Sequence, residues 1–327
     1  YEIGSGLVGS EMCIRDRMEA AAICREQGCD FIIGLGGGST IDSAKAIAVM
    51  ACNDGDFWNY VTGGSGKGRP VTKALPIVAI PTTAGTGTEA DPWAVITNEE
   101  KQEKIGFGCS LTFPALSIID PELMISIPPH LTAYQGFDAF FHAAEGFIAN
   151  CATPISDLYA LEAIRLLYKY LPVAVNDGKN LKARAKVAWA STLAGLVEAT
   201  SSCTSEHSME HAMSAYYPQL PHGAGLIALS EAYFETFRND CMKRYMKMAD
   251  VMTQQKSNRP SDFIDALARM KKECHVDNIK LSEWGLKEED LPKMVQNARD
   301  TMGGLFTLDP RPLTDDEVLN IYRQSYK

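Results

Sequence analysis

The stretch "CDFIIGLGGGSTIDSAKAIAVMAC", Cys29 to Cys52, constrains the fold of this chain more than any other. Its apolar run near Phe31 to Leu35 predicts a buried strand, and Gly36, Gly37 and Gly38 predict a tight turn. The spacing beyond predicts a helix from about Thr40 to Cys52, with Ser39 or Thr40 at its cap. "ALPIVAIPTT" and "ALSIIDPEL" read as two further buried strands, so strands alternate with helices in this half. The pattern is local: 17 of the 26 glycines precede His130. From Leu131 onward, segments such as "PISDLYALEAIRLLYKYLPVAV" and "ARAKVAWASTLAGLVEAT" keep a helical period, which predicts an all-helical second half. The paired prolines of "IPPH", Ile127 to His130, mark the junction, because proline interrupts both ladders and helices. The expected division is an α/β domain over 18–127 and a helical domain over 128–327, with "TGGSGKGR" at Thr62 to Arg69 as a flexible loop.

The formal charge of −10 argues against a nucleic-acid partner, whose phosphates need clustered Lys and Arg. No apolar run approaches the roughly 18 to 20 residues that span a bilayer, so no membrane association is expected. Nine cysteines occur without a single CxxC pair, a pattern of reduced packing residues in a cytoplasmic protein rather than of a disulfide scaffold or a cysteine-type zinc site. "LVGSEMCIRDR", Leu7 to Arg17, has no apolar period and closely resembles one translated frame of a transposon-type sequencing-library adapter. Residues 1–17 are therefore expected to be non-native.

The glycine turn can do chemistry. Glycines let backbone amides approach a phosphate closely, and a helix N-terminus presents unpaired N–H groups with partial positive charge. The spacing differs from the usual GxGxxG fingerprint, and three glycines alone fit equally well a tight turn with no ligand. "PTTAGTGTEAD", Pro81 to Asp91, adds small hydroxyl and glycine positions after the next strand. Strand ends in an open α/β sheet converge on one crevice, so both loops could line a single nucleotide site.

Metal-ligating residue types gather in the helical half. "GFDAFFHAAEGF" sets Asp138 and His142 four residues apart, on one face of a helix. His207 and His211 repeat that spacing, and His222 follows in a proline-flanked turn, although only six histidines occur in the chain. One carboxylate with several imidazoles suits a divalent transition ion such as Fe(II) or Zn(II), and the lack of thiolate partners speaks against a structural zinc knot.

Together, "GGGSTIDSAK", "PTTAGTGTE", "IIDPEL", "GFDAFFHAAE" and "HSMEHAMSAYYPQLPHG" resemble, in order and interval, the iron-containing (group III) alcohol dehydrogenases over essentially all of residues 18–327. The resemblance implies a Rossmann-like dinucleotide-binding domain, here truncated, followed by an all-helical metal-binding domain in a dehydroquinate synthase-like architecture. It implies Asp138, His142, His207 and His222 as ligands of a divalent metal, Fe(II) or else Zn(II), and His211 as the further histidine near the nicotinamide. Gly37, Gly38, Ser39 and Asp42 match the pyrophosphate loop, and Thr82, Thr83, Thr86 and Lys104 match further cofactor contacts. The implied activity is hydride transfer between a primary alcohol, or its aldehyde, and NAD or NADP, in a homodimer or larger homo-oligomer.

Departures from the family pattern bear on the site. Glu210 stands where many members have a small residue, the interval from His207 to His222 is one residue longer than is common, and Thr88 stands where serine is frequent. His211 could therefore compete with His207 for the metal. The rival readings are a glycerol dehydrogenase or dehydroquinate-synthase-like member of the same superfamily, and a non-catalytic nucleotide-binding or assembly protein. His130 and His275 match no motif and are expected at the surface. Family members carry a further βα portion ahead of the "GGGS" unit, so a sheet with unpaired edges and an aggregation-prone chain are also expected.

Overall fold

The computed structural model describes residues 14–326. The expectation that residues 1–17 are non-native therefore lies largely outside the described residues. Arg17 lies within them, buried, and its Nε donates to Ser43 Oγ at 3.0 Å.

The first half is an α/β layer. Helix α1 (Ile14–Gln27) leads to strand β1 (Ile32–Gly36) and helix α2 (Gly38–Met50), and strands β2 (Ile77–Pro81) and β5 (Leu116–Ser117) complete a parallel sheet of order β1-β2-β5. The register runs from Ile32 opposite Ile77 to Gly36 opposite Pro81, with Val78 opposite Leu116. Helix α2 lies so close to β1 that a Cβ at Gly34 would fall 3.1 Å from both Ala44 Cβ and Ile41 Cα, and glycine is what permits that approach. The helix begins two residues earlier than expected, with Gly37 rather than Ser39 or Thr40 as its cap. Gly37 is extended and offers no side-chain bond, so the turn is capped by backbone and shaped by its glycines. The "ALSIIDPEL" strand shrinks to two residues, and a short 3-10 turn opens at Pro121, three intervening residues beyond it.

An antiparallel hairpin, β3 (Ala94–Asn98) with β4 (Glu103–Phe107), was not anticipated. Its turn carries the charged run Asn98 to Lys104, which hides the alternation of buried Ala94 and Ile96 with half-buried Val95 and Thr97. Val95 N bonds Asp42 Oδ2 at 2.9 Å, which fixes the hairpin to α2. The Thr62–Arg69 loop is likewise tied down, with Ser65 Oγ donating to Glu103 Oε2 at 2.7 Å.

The helical half starts at Pro129. It comprises α3 (Pro129–Ile148), α4 (Pro154–Asn176), α5 (Leu181–Thr200), α6 (Ser205–Tyr216), α7 (His222–Thr236), α8 (Met242–Thr253), α9 (Ser261–Glu273), α10 (Leu291–Phe306) and α11 (Asp315–Ser325). Pro129 suits the first turn of α3, where its missing N–H is not required. From Gly136 to Ile148 every residue of α3 is buried, and from Ser205 to Ala215 every residue of α6 is too. Such helices are surrounded by protein on all sides. Phe137, Phe140 and Phe141 of α3 pack with Phe234 and Phe263, and each fully buried side chain of this size contributes about 1.5–3 kcal/mol. Polar groups on α3 and α6 are consequently held inside this core, where each needs a partner.

Among the described residues, β1 pairs with β2 alone, and one sheet face stays open. Ile33 and Leu35 on β1 are 51% and 57% exposed, beside exposed Phe31, Leu116 and Ile118. His130 and His275 are at the surface, as expected. No described helix is long and apolar enough to cross a membrane.

Candidate metal centre and cofactor cleft

Helix α3 carries Asp138 and His142 one turn apart, α6 carries His207, and His222 is the first residue of α7. Asp138 Oδ1 lies 3.4 Å from Nε2 of His142, 3.4 Å from Nε2 of His207 and 3.4 Å from Nε2 of His222. Ligands each about 2.1 Å from one tetrahedral ion stand about 3.4 Å apart, so the spacing and the mixed oxygen and nitrogen donors both fit a divalent transition metal. Burial alone would raise the Asp138 carboxyl; His142, His222 and His207 outweigh it and hold the group well below the usual range. Burial likewise opposes charge on His142 and His207. Asp138 and Glu198 raise the first, and Cys203, Glu145 and Asp138 raise the second well above its ordinary value.

The opposite ring nitrogens also meet carboxylates. His207 Nδ1 bonds Glu145, His222 Nδ1 bonds Glu210, and His142 Nδ1 lies 3.0 Å from Glu198 Oε1 as an ion pair. A carboxylate on one imidazole nitrogen selects the tautomer and orients the other nitrogen toward a metal. Sequence reasoning missed Glu145 and Glu198 altogether. The available signal was a carboxylate inside an apolar helical segment: Glu145 follows His142 by three residues in "HAAEGF", and Glu198 interrupts "LAGLVEAT". It missed Cys203 as well, whose sulfur falls within 4.8 Å of the ligating atoms of His142 and His207. Burial raises this thiol well above its usual range, against the pull of His207.

His211 is not among Asp138's partners. It groups instead with Glu210 and His222, and its Nδ1 contacts Met302 Sδ on α10. Burial, with Lys104, His222 and His207 nearby, holds His211 well below the ordinary histidine value, as a neutral imidazole. Glu210 pairs with His222 and Lys104. Burial would raise its carboxyl, but His222 and Lys104 bring it down to about 2.

These groups form one end of a cavity of about 380 Å³, whose lining also includes Ser39, Thr86, Thr97, Lys104, Met302 and Leu305. Of that lining, Ser39 and Thr86 adjoin the glycine turn. A Cβ on Gly37 would lie 3.3 Å from Thr83 Cγ2 and one on Gly38 only 2.4 Å from Thr86 Cγ2, so the two loops meet, and Thr82 N donates to Gly36 O at 2.8 Å. Bare backbone at the start of α2 is a cradle suited to a pyrophosphate. Two residues expected beside the cofactor, Asp42 and Lys104, line the cavity and carry further bonds. Asp42 accepts from Thr88 Oγ1 at 2.8 Å and from Val95 N, bracing the hairpin. Lys104 Nζ stands at the metal end, 3.4 Å from Glu210 Oε2 and 3.4 Å from His222 Nδ1. Beneath the cleft, fully buried Lys45 donates to Thr88 Oγ1 at 2.6 Å, Asp91 O at 2.9 Å and Trp93 O at 2.6 Å, a set that satisfies its three N–H groups.

The pattern of the family described as iron-containing alcohol dehydrogenase matches residues 5–121, and that of the Fe-containing alcohol dehydrogenase family, C-terminal, matches residues 132–326. The chain is 33% identical to alcohol dehydrogenase 4 of Schizosaccharomyces pombe, over 93% of this chain and 70% of that protein. It is 34% identical to the long-chain primary alcohol dehydrogenase of Thermoanaerobacter ethanolicus, over 94% of this chain and 77% of that protein. Among solved structures, an archaeal halo-thermophilic alcohol dehydrogenase from a Red Sea brine pool superposes with a TM-score of 0.91 at 36% identity, covering 96% of this chain and 81% of the other.

Proposed function

The chain belongs to the iron-containing alcohol dehydrogenase family, and from that premise we propose that it interconverts a primary alcohol and its aldehyde using Fe(II) and a nicotinamide dinucleotide, NAD or NADP. The observation that carries the proposal is Asp138 Oδ1 at 3.4 Å from three separate imidazole nitrogens, in a cavity that Ser39 and Thr86, beside the glycine turn, also line. Asp138, His142, His207 and His222 would hold the ion. When bound, a divalent cation in such a set supplies a Lewis acid that polarises the substrate oxygen, and the nicotinamide accepts or returns the hydride.

The chain's own residues do the rest. The amides of the Gly37–Gly38 turn anchor the dinucleotide, and Thr83 and Thr86 wall the loop that faces it. Met302 and Leu305 line the cavity with apolar surface that limits water around the reacting carbon. His211 is a neutral imidazole whose Nδ1 meets Met302, which leaves Nε2 as the nitrogen that can hold or pass the hydroxyl proton.

Anaerobic oxidation of reduced nicotinamide with a short aldehyde tests the reading. Turnover should appear in Fe(II)-loaded protein, vanish on chelation and return with metal. His222→Ala should lose both the retained ion and turnover. A protein that binds the ion but transfers no hydride to any simple aldehyde would move the assignment to a lyase-type relative.

A further inference from the structure

The second ring nitrogen of His222 has a partner that the ligand motif does not specify. Glu210 is fully buried on α6, and its Oε2 is shared between His222 Nδ1 and Lys104 Nζ while Oε1 accepts from Ser214 Oγ. The carboxylate is closely walled: a Cβ on Gly225 of α7 would fall 2.9 Å from Glu210 Cγ and 3.0 Å from Oε1. His142 and His207 sit inside long buried helices, with side chains 7% and 4% exposed, whereas His222 opens α7 after Pro221 with 27% of its side chain exposed. Of the three imidazoles, His222 is the one that its helix restrains least.

We propose that Glu210 is a positioning residue of the metal centre: bridging His222 Nδ1 to Lys104, it holds His222 in the tautomer and orientation that turn Nε2 toward Asp138. The inference rests on the reading of Asp138, His142, His207 and His222 as ligands. Its physical basis is that a hydrogen-bonded carboxylate fixes which imidazole nitrogen is free and makes that nitrogen a stronger donor. Lys104, arriving from β4, brings a second donor to the same carboxylate oxygen and pairs with it at 3.4 Å. The same contact links the hairpin of the α/β half to the ligand that begins α7.

The test measures Zn(II) affinity of the whole protein by competition with a chelating dye, and the visible absorption of the Co(II)-loaded form. Glu210→Ala should bind Zn(II) about 10–100-fold more weakly, as loss of an outer carboxylate partner generally does. Glu210→Gln, which keeps an acceptor for Nδ1–H, should recover part of that loss. Both variants should shift the Co(II) bands, because the donor angle of His222 changes. Unchanged affinity and spectrum in Glu210→Ala would overturn the proposal. So would a loss equal in both variants that merely follows a lowered melting temperature of the metal-free protein. Failure of the underlying ligand reading looks different: the unaltered protein would then hold no ion tightly, and His222→Ala would match it.

Discussion

Asp309, on the segment between α10 and α11, shows how a single buried residue beside the start of α6 sets a pH response. It is 1% exposed and accepts from Ser205 N and Tyr233 OH, each at 3.0 Å. Burial pushes its carboxyl up to about 7, against the pull of those two bonds. An unfolded chain ionises aspartate near about 3.9. Below that pH both states are protonated and Asp309 has no effect; between there and about 7 the unfolded chain alone loses its proton, so stability falls as pH rises. Above about 7 both states are ionised and the full penalty remains. Asp309→Asn, which keeps an acceptor for both donors, should therefore match the parent in denaturant unfolding near pH 4 and exceed it by up to about 4 kcal/mol at pH 8. Parallel stability curves for the two proteins would refute this.

At the scale of elements, the cleft depends on how closely the loop after β2 meets α5. Gly87 has φ +64, and a methyl at Gly195 would lie 2.2 Å from Gly87 O. Thr192 Oγ1 of the same helix donates to Glu89 Oε1 at 2.8 Å, so this crossing holds the Thr82–Thr88 loop over the cavity. Gly195→Ala should cost about 1–3 kcal/mol, because the clash is with backbone that cannot rotate aside. Gly303, where nothing lies within 4 Å of the built Cβ, is the matched control and should tolerate alanine. Urea unfolding of both variants measures the difference, and equal midpoints would show that the loop yields freely. Helix α3 makes a related point from the opposite direction: buried from Gly136 to Ile148, it can carry Asp138, His142 and Glu145 only because each finds a partner there.

For the molecule as a whole, two properties stand apart: a candidate metal centre on buried helices, and a sheet face left uncovered among the described residues. The open face, with Phe31, Ile33 and Leu35 beside Leu116 and Ile118, should drive self-association of this chain. Light scattering should rise with protein concentration, and replacing Ile33 and Leu35 together by lysine should reduce it while Zn(II) affinity stays unchanged; scattering independent of concentration in the parent would contradict this. The sequence by itself determined the strand, the glycine turn and the helix around Gly36 to Gly38, the helical second half, and the paired spacings of Asp138 with His142 and His207 with His211. Each of these is written in neighbours a few residues apart, and backbone geometry converts such spacing directly into a shared face or a turn. Only the tertiary structure decided which of His207 and His211 turns to Asp138, that Glu145, Glu198 and Glu210 stand behind the candidate ligands, and that Lys104 reaches Glu210 and His222. Those pairings join residues as far apart as 62 and 106 positions, and they exist because α3, α6, α7 and the β3–β4 hairpin converge when the core packs. A carboxylate in an apolar helix signals burial with a partner, but the partner is chosen by packing, on which local spacing is silent.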